Sequence, residues 1–476
     1  MQVSNTAALK ILHIFLVGSL SVLLSVLISH ADSLTIVAAA GAGFLAAALI
    51  WYRKLSLPVL VATFFWAGLQ VPGSTVAETG RWAILGLAAA AGLLHWRGEQ
   101  SGFRVGYLHF FAAATAATFM LSFDVSSNPG MTVLKAGSVA LLFLYCSTGA
   151  LVFVAGREKY FLRGITLACE ALIYASAISY GVLRFPVFGN PNSLGAVMGV
   201  VAWPIMFWSC LTIRTRIGLY RNWSALIICG GLLFLSLARA GILAAAISSV
   251  LILFALRRKR LMLAWTLGGC LCAIAMPSFL PDQWQAMLNG VVYKSKPGLD
   301  ILQSRRPRWD QTIDEIRARP WLGSGFGAAK DISEEWKGGV ATRGLNRERG
   351  SSYLGLAAGV GLLGAVPAAF LLGLIVARVR TACRRVRLAR LPLDASIPIA
   401  GLITAGLCHA GFEDWLFAPG YYLTVIFWIM VFVLASREDT FLHAPAGADS
   451  DVRSPRHKTG QRPHAAGGGQ SCLQAG

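Results

Sequence analysis

The chain has 476 residues, of which 56% are hydrophobic and 13% are charged. A soluble domain carries about twice that share of charged residues, so the composition excludes an ordinary soluble protein. The formal net charge of +20 is compatible with nucleic-acid binding, but the basic residues cluster in short segments between apolar runs. That distribution is typical of membrane topology signals and argues against nucleic acid.

Apolar runs of about 20 residues, the length that crosses a bilayer core as a helix, recur along the whole chain. They predict an all-α, polytopic integral membrane protein with about 12–14 transmembrane helices. The predicted spans are 8–29, 34–52, 56–72, 82–96, 106–123, 133–155, 164–183, 193–213, 222–236, 240–256, 261–279, 351–377, 395–412 and 419–436.

The domain organisation follows from these spans. N-terminal membrane helices occupy 1–279, a large polar loop occupies 280–350, and C-terminal membrane helices occupy 351–436. The remaining segment, 437–476, is rich in Gly, Pro, His and Arg and has no hydrophobic periodicity. This composition predicts a disordered tail.

Lysine and arginine in short loops stay on the cytoplasmic side of a membrane. If the N-terminus is cytoplasmic, the loops after even-numbered spans carry the basic clusters, such as the run 257–260 and the six arginines within 378–390. The short loops after odd-numbered spans carry isolated basic residues, among them Arg81, Arg184 and Arg239. This alternation predicts cytoplasmic termini and places the 280–350 loop outside the cytoplasm.

Basic clusters flank the apolar stretch 224–256 on both sides, so this stretch is predicted to leave the cytoplasm and return. Arg239 then lies at the outer tip of a tight helical hairpin. An arginine at a membrane surface can simply anchor a helix end, and we prefer that interpretation for Arg81. For Arg239 and Arg184 we favour a functional role, because a guanidinium fork suits a phosphate group.

Within the large loop, Trp309, Ile313 and Ile316 share one face of a predicted helix, which Pro320 terminates. The following series of glycines at 323, 325 and 327 lacks the strand, helix and lysine of a phosphate-binding loop. We interpret it as a turn.

An acidic pair, Glu413 and Asp414, lies between the last two spans. It is compatible with a solvated helix cap or with a carboxylate that serves as general base. His409, one helical turn earlier, is either a buried hydrogen-bonded histidine or a proton carrier. No cluster of His and Cys has the spacing of metal ligands, so no metal is predicted.

Four motifs occur in order between residues 188 and 364: "FGNPNSLG", "SLARAGIL", "RPRWDQTIDEIRARPWLGSGFG" and "GSSYLGLAAGVGLLG". Together with the large outer loop they resemble the O-antigen ligase and polymerase superfamily, the Wzy and WaaL type membrane glycosyltransferases. The resemblance covers about residues 183–435.

The resemblance implies that the chain takes a glycan from undecaprenyl diphosphate and transfers it to a sugar hydroxyl on the periplasmic face. Arg184 and Arg239 match the positions of arginines that hold the diphosphate, and Arg308 is a third candidate. Arginine charge would stabilise the departing diphosphate without a metal or other cofactor. Ser351, Ser352 and Tyr353 are candidate contacts for the acceptor.

Ligases of the superfamily commonly carry a histidine just before the twelfth-span motif, and this chain has none between Leu280 and Cys408. Candidate residues for receiving the acceptor's proton are Glu413, Glu348 and His409; alternatively, no strong base is needed because the diphosphate leaves readily. The missing histidine favours a polymerase of exopolysaccharide or O-antigen repeat units.

Two alternatives stay open: a ligase that joins O-antigen to lipid A core, and a transporter of lipid-linked oligosaccharides. Transporters tend to show inverted repeats and charged midplane helices. Most spans here lack charge, although Glu170 is an exception that could face a polar cavity or pair with another helix. The expected location is a bacterial inner membrane, and a chain-length regulator or another polysaccharide-assembly protein is a candidate partner.

Overall fold

The computed structural model describes residues 52, 55–98, 105–213, 215–268, 305–328 and 349–442. Every regular element in these ranges is a helix, which confirms the all-α prediction. The helices are α1 Ser56–Ala67, α2 Ser74–Gly98, α3 Tyr107–Leu121, α4 Pro129–Ser147, α5 Gly149–Val154, α6 Glu158–Ala177, α7 Pro191–Ala196, α8 Trp203–Thr212, α9 Arg216–Leu235, α10 Arg239–Ala255, α11 Arg306–Ala318, α12 Ser352–Ala389, α13 Ser396–Ala410 and α14 Tyr422–Leu442. Residues 259–268 are also helical.

Six helical segments of the described ranges are long and apolar enough to cross a membrane, which confirms a polytopic membrane protein. They are Tyr107–Val125, Pro129–Val154, Glu158–Val182, Pro191–Thr212, Arg216–Leu235 and Ser352–Ala389. Ser56–Ala67, Arg239–Ala255 and Ser396–Ala410 are shorter apolar helices. The predicted span 8–29, nearly all of 34–52, and residues 269–279 of the span 261–279 lie outside the described residues. The same holds for the predicted disordered tail 437–476 except its first six residues, which are helical because α14 continues to Leu442.

The helical hairpin predicted around Arg239 is present as α9 and α10, which are joined by a turn of three residues. The start of α10 packs against α7 and the π-helical segment Val197–Ala202 that follows it, because glycines let the backbones approach closely. A Cβ on Gly199 would lie 2.3 Å from the carbonyl oxygen of Gly241, and one on Gly241 would lie 2.4 Å from that of Gly195. These contacts fix the position at which α10 begins.

α12 is interrupted at Gly361, whose φ of 68° and ψ of 178° are not helical. The loop that follows α11 fills the interruption. The amides of Leu362 and Leu363 donate to the carbonyls of Pro320 and Trp321 at 2.8 and 3.2 Å. In the other direction, the amides of Ser324 and Gly325 donate to the carbonyls of residues 358 and 359 at 3.0 and 2.8 Å.

The glycines at 323, 325 and 327 all have positive φ, which confirms the prediction of a turn. Their conformation brings the loop against three helical elements. The amide of Phe326 donates to the hydroxyl of Ser122 at 2.9 Å, and its ring stacks on Phe119 with centroids 4.0 Å apart. Lys135 of α4 donates to the carbonyl of Gly327 at 2.8 Å. The helix predicted before the loop is α11, which ends at Ala318, ahead of Pro320.

Where α12 ends, charged residues join three helices. Arg385 pairs with Asp394 at 3.3 Å and with the buried Glu438 at 3.0 Å. Arg437 pairs with Asp394 at 3.1 Å, and the amide of Ser396 donates to the same carboxylate at 2.7 Å. The sequence predicted a loop after residue 377, but the arginines at 378–387 lie in the last turns of α12, which ends at Ala389.

Glu170 of α6 pairs with another helix, which is one of the two environments predicted for it. Its carboxylate lies 2.8 Å from Nε of Arg221, near the start of α9. The carboxylate is nearly buried, whereas the arginine side chain is half exposed. A buried carboxylate that lacked this partner would be costly in a membrane helix.

Replacing Gly361 with alanine is expected to lower the Tm of the detergent-solubilised protein. The backbone conformation alone disfavours a side chain by about 1–3 kcal/mol, and the new Cβ would lie 2.2 Å from the carbonyl oxygen of Trp321. Gly373→Ala is the matched control, because a Cβ there meets nothing within 4 Å. Equal Tm values for the two variants would contradict this account.

The charged cluster around Asp394 is expected to make the stability of the protein decrease as the pH falls into the acid range. Burial by itself would raise the pKa of the Asp394 carboxyl, but hydrogen bonds from Ser396 and the charges of Arg385 and Arg437 lower it below its usual value. A lowered folded-state pKa stabilises the protein above the unfolded value, about 3.9, and the contribution is lost as the pH falls through the folded value. Asp394→Asn should therefore lower the Tm at pH 7, because two partly buried arginines lose their shared carboxylate, and the difference from the native protein should shrink towards pH 3.

Asp314→Asn is the control for this measurement, because its ion pair with Arg317 is exposed on both sides. Exposed pairs contribute little. A Tm difference for Asp394→Asn that persists at low pH would show that packing, and not charge, accounts for the effect.

Candidate active site

A cavity of about 250 Å³ lies where α10 begins and α13 ends. Four separate segments of the chain line it, and their polar members are Asn192, Arg239, Arg305, His409 and Glu413. Apolar side chains such as Leu243 and Phe412 complete the walls. The site thus combines two guanidinium groups, one carboxylate, one imidazole and one amide within an otherwise apolar surface.

Arg239 enters the cavity as the first residue of α10. The residue two positions earlier, Leu237, has a left-handed φ of 53°, which turns the chain sharply between α9 and α10. The hydroxyl of Ser236 accepts a hydrogen bond from the amide of Ala238 at 3.3 Å and stabilises the turn. The prediction that Arg239 lies at the tip of the hairpin matches this local structure.

The second arginine of the cavity is Arg305, immediately before α11, and sequence reasoning missed it. Its guanidinium forms an ion pair with the carboxylate of Glu413, and the two side chains are only 14% and 11% exposed. Arg308, which the sequence analysis favoured, lies exposed on α11 and is not part of the cavity lining. The sequence did signal a basic cluster at this position, the run "RRPRW". The run contains three arginines, however, and no local pattern indicates which of them enters the cavity.

The acidic pair is divided between two environments. Glu413 lines the cavity, whereas Asp414 lies against Gly355 and is influenced by Lys135 and Arg349. Burial raises the pKa of the Asp414 carboxyl, and the two cations together with the Arg349 amide oppose that rise without cancelling it. Arg349 also pairs with Glu315 of α11 at 3.1 Å. Asp414 therefore belongs to the contacts that hold the loop after α11.

Ser352, a candidate acceptor contact, is buried and uses its hydroxyl within the protein. The hydroxyl donates to the carbonyl of Glu413 at 2.8 Å and accepts from the amides of Trp415 and Leu416, both at 3.0 Å. The indole of Trp428 in α14 donates to the carbonyl of Leu416 at 2.8 Å. This set of bonds fixes the turn that carries Glu413.

His409 lies in the last turn of α13 and is 3% exposed. The indole Nε1–H of Trp415 donates to its Nδ1 at 2.9 Å. Both a hydrogen-bonded buried histidine and a role in chemistry were predicted for this residue. The first is present in the structure, and its place in the cavity lining leaves the second open.

The other predicted site residues lie apart from the cavity or outside the described residues. Arg184 is exposed, with a φ of 51°, in the loop after α6 and is not in the lining; the motif that follows contributes Asn192 instead. Ser351 is buried at the start of α12, and Tyr353 donates to the carbonyl of Leu407 at 2.7 Å. Glu348 is outside the described residues. In the ranges that the structure covers, no group of three His, Cys, Asp or Glu side chains is placed to hold a metal ion.

Ser352→Ala is expected to destabilise the turn at 413–416, because two buried amides would lose their acceptor. An unsatisfied buried donor costs about 1–3 kcal/mol, so the Tm should fall clearly. Ser351→Ala is the matched control, since the Ser351 hydroxyl makes no capping hydrogen bond to α12. A similar Tm for both variants would show that the Ser352 hydroxyl does not hold the turn.

Part of the chain matches the model of a known protein family. Residues 224–369 match the family model Wzy_C, described as O-antigen ligase. The match runs from α9 into α12 and includes Arg239, Arg305 and Arg308, whereas His409 and Glu413 lie beyond it. A search of curated proteins finds no match. The match supports a membrane glycosyltransferase-like function in polysaccharide assembly, and residues 224–369 are similar to the O-antigen ligase family.

Proposed function

We propose that this protein transfers a glycan from undecaprenyl diphosphate to a sugar hydroxyl, as a metal-independent inverting glycosyltransferase on the periplasmic face of a bacterial inner membrane. The observation that carries the proposal is the meeting of Arg239, Arg305 and Glu413 in one cavity next to the membrane helices. The basic clusters on the opposite ends of the helices support the periplasmic placement.

The charge of the cavity suits a diphosphate. Arg239 and Arg305 lie close enough for their charges to repel each other, and Glu413 is the single carboxylate among the described residues of the lining. An anion between the two guanidinium groups would relieve that repulsion. Each planar guanidinium can form two parallel charge-assisted hydrogen bonds with phosphate oxygens. In an apolar cavity such bonds are stronger than in water.

The transfer itself needs one bond to form and one to break. The acceptor hydroxyl oxygen bonds to the anomeric carbon from the face opposite the diphosphate, which inverts the configuration. The bond from that carbon to the phosphate oxygen breaks, and its electron pair stays on undecaprenyl diphosphate. The hydroxyl proton passes to the carboxylate of Glu413.

The ion pair between Arg305 and Glu413 couples the last two events. When Glu413 takes the proton it loses its negative charge, and its attraction for Arg305 weakens. The guanidinium is then available to the diphosphate at the moment when that group gains charge. Arg239 and Arg305 together stabilise the departing diphosphate, which is the task of preorganised electrostatic groups in catalysis.

We infer that the acceptor is another lipid-linked repeat unit, so that the protein is a polymerase. The absence of the superfamily's histidine before α12 supports this choice over a ligase. Transfer to lipid A core is the second candidate, supported by the description of the matching family model as O-antigen ligase. A chain-length regulator or another polysaccharide-assembly protein is the expected protein partner.

The test is a reaction with purified protein and undecaprenyl-diphosphate-linked repeat units, with and without a metal chelator, followed as glycan length on a gel. The native protein should produce a ladder in both conditions. Arg239→Ala and Arg305→Ala should each reduce the rate by about 10²-fold or more, as removal of one preorganised charge-stabilising group does in other enzymes. Transfer only after lipid A core is added would identify a ligase.

Arg308→Ala is the matched control for Arg305→Ala, because Arg308 lies exposed outside the cavity, three residues away. It should keep most of the native rate. Equal losses in the two variants would contradict the assignment of Arg305 to the diphosphate. If neither acceptor is used by the native protein, the glycosyltransferase proposal fails and a transporter becomes the better explanation.

A further inference from the structure

The hydrogen bond between Trp415 and His409 determines where the imidazole carries its proton. An indole N–H is only a donor, so the nitrogen that it contacts must supply a lone pair. That nitrogen is Nδ1 of His409, at 2.9 Å. A neutral imidazole has one protonated nitrogen, and with Nδ1 unprotonated the hydrogen lies on Nε2.

The surroundings of His409 oppose the doubly protonated form. A proton on Nδ1 would point at the indole N–H of Trp415, and two donors would then face each other. His409 is buried, and Arg305 adds a positive charge on the cavity side. Glu413 is the nearby carboxylate, but its charge is shared with Arg305 through their ion pair.

We propose that Trp415 fixes His409 as a hydrogen-bond donor, so that His409 Nε2–H binds a phosphate oxygen of the lipid diphosphate and does not act as the base. His409 is then a catalytic residue that keeps its proton throughout the reaction, and Trp415 is a positioning residue that acts through it. This inference rests on the proposed function for the identity of the anion. It leaves the acceptor's proton to Glu413.

Glutamine and alanine at position 409 separate a donor from a base. Glutamine can place an N–H near the position of Nε2 but cannot take up a proton at neutral pH. With lipid-diphosphate-linked repeat units as substrate, His409→Ala should lower kcat by about 10²-fold, whereas His409→Gln should stay within about tenfold of the native value. A glutamine variant that folds and is as slow as the alanine variant would overturn the donor role.

The proton position can be measured without any reaction. The full-length protein is labelled with ¹⁵N-histidine, reconstituted in lipid, and examined by NMR; the His409 signals are those missing from His409→Gln. We expect a protonated Nε2 and an unprotonated Nδ1 in the native protein. A proton on Nδ1 would overturn the inference whatever the activity of the protein, while the expected tautomer without glycan transfer would count against the proposed function alone.

Trp415→Phe and Trp428→Phe form a matched pair for the role of the indole. Both remove a buried indole N–H that bonds within or to the turn 413–416, but Trp428 lies in α14 and its N–H bonds the carbonyl of Leu416 and not His409. Only Trp415→Phe should release the tautomer of His409, and its kcat should fall further than that of Trp428→Phe. If both variants lose kcat equally with the His409 tautomer unchanged, Trp415 serves the packing of the turn and not the position of the proton.

Discussion

A buried backbone amide or carbonyl that leaves helical pairing must find another partner within the protein, because neither a packed interior nor hydrocarbon offers one. α12 meets this constraint at Gly361, where the helix is interrupted and the loop 320–327 supplies the missing donors and acceptors. The interruption of α12 therefore requires the loop to pair its free backbone groups. The loop requires a glycine wherever a Cβ would clash with α12. Much of the candidate site depends on this mutual docking.

The docked loop determines where α11 lies, because Pro320 follows the end of that helix by two residues. α11 in turn places Arg305, the residue just before its first turn, against Glu413. Arg349 bonds both α11, through Glu315, and the start of α12. A substitution that loosens the loop would thus displace Arg305 and change the cavity, although the substituted residue does not line it.

The turn after α13 is the second element on which the cavity depends. Its backbone is bonded to Ser352, and its tryptophan is bonded to His409, so α12 and α13 share one set of hydrogen bonds. Buried polar networks of this kind are stabilising only when their members are satisfied. The same bonds that complete the turn orient the carboxylate and the imidazole towards a common space.

The sequence alone determined the membrane class, most helix positions, the hairpin at Arg239, the end of α11 before Pro320 and the glycine turn, because hydrophobic length, charge in loops, proline and glycine act locally. Only the tertiary structure decided that Arg305 and not Arg308 enters the cavity, and that the adjacent carboxylates at 413 and 414 face different partners. It also revealed the bond from Trp415 to His409. The first two features depend on contacts between distant segments: Arg305 and Glu413 are 108 residues apart, and Lys135 is farther still from Asp414. No local pattern of residues records which of several nearby side chains a distant segment will meet.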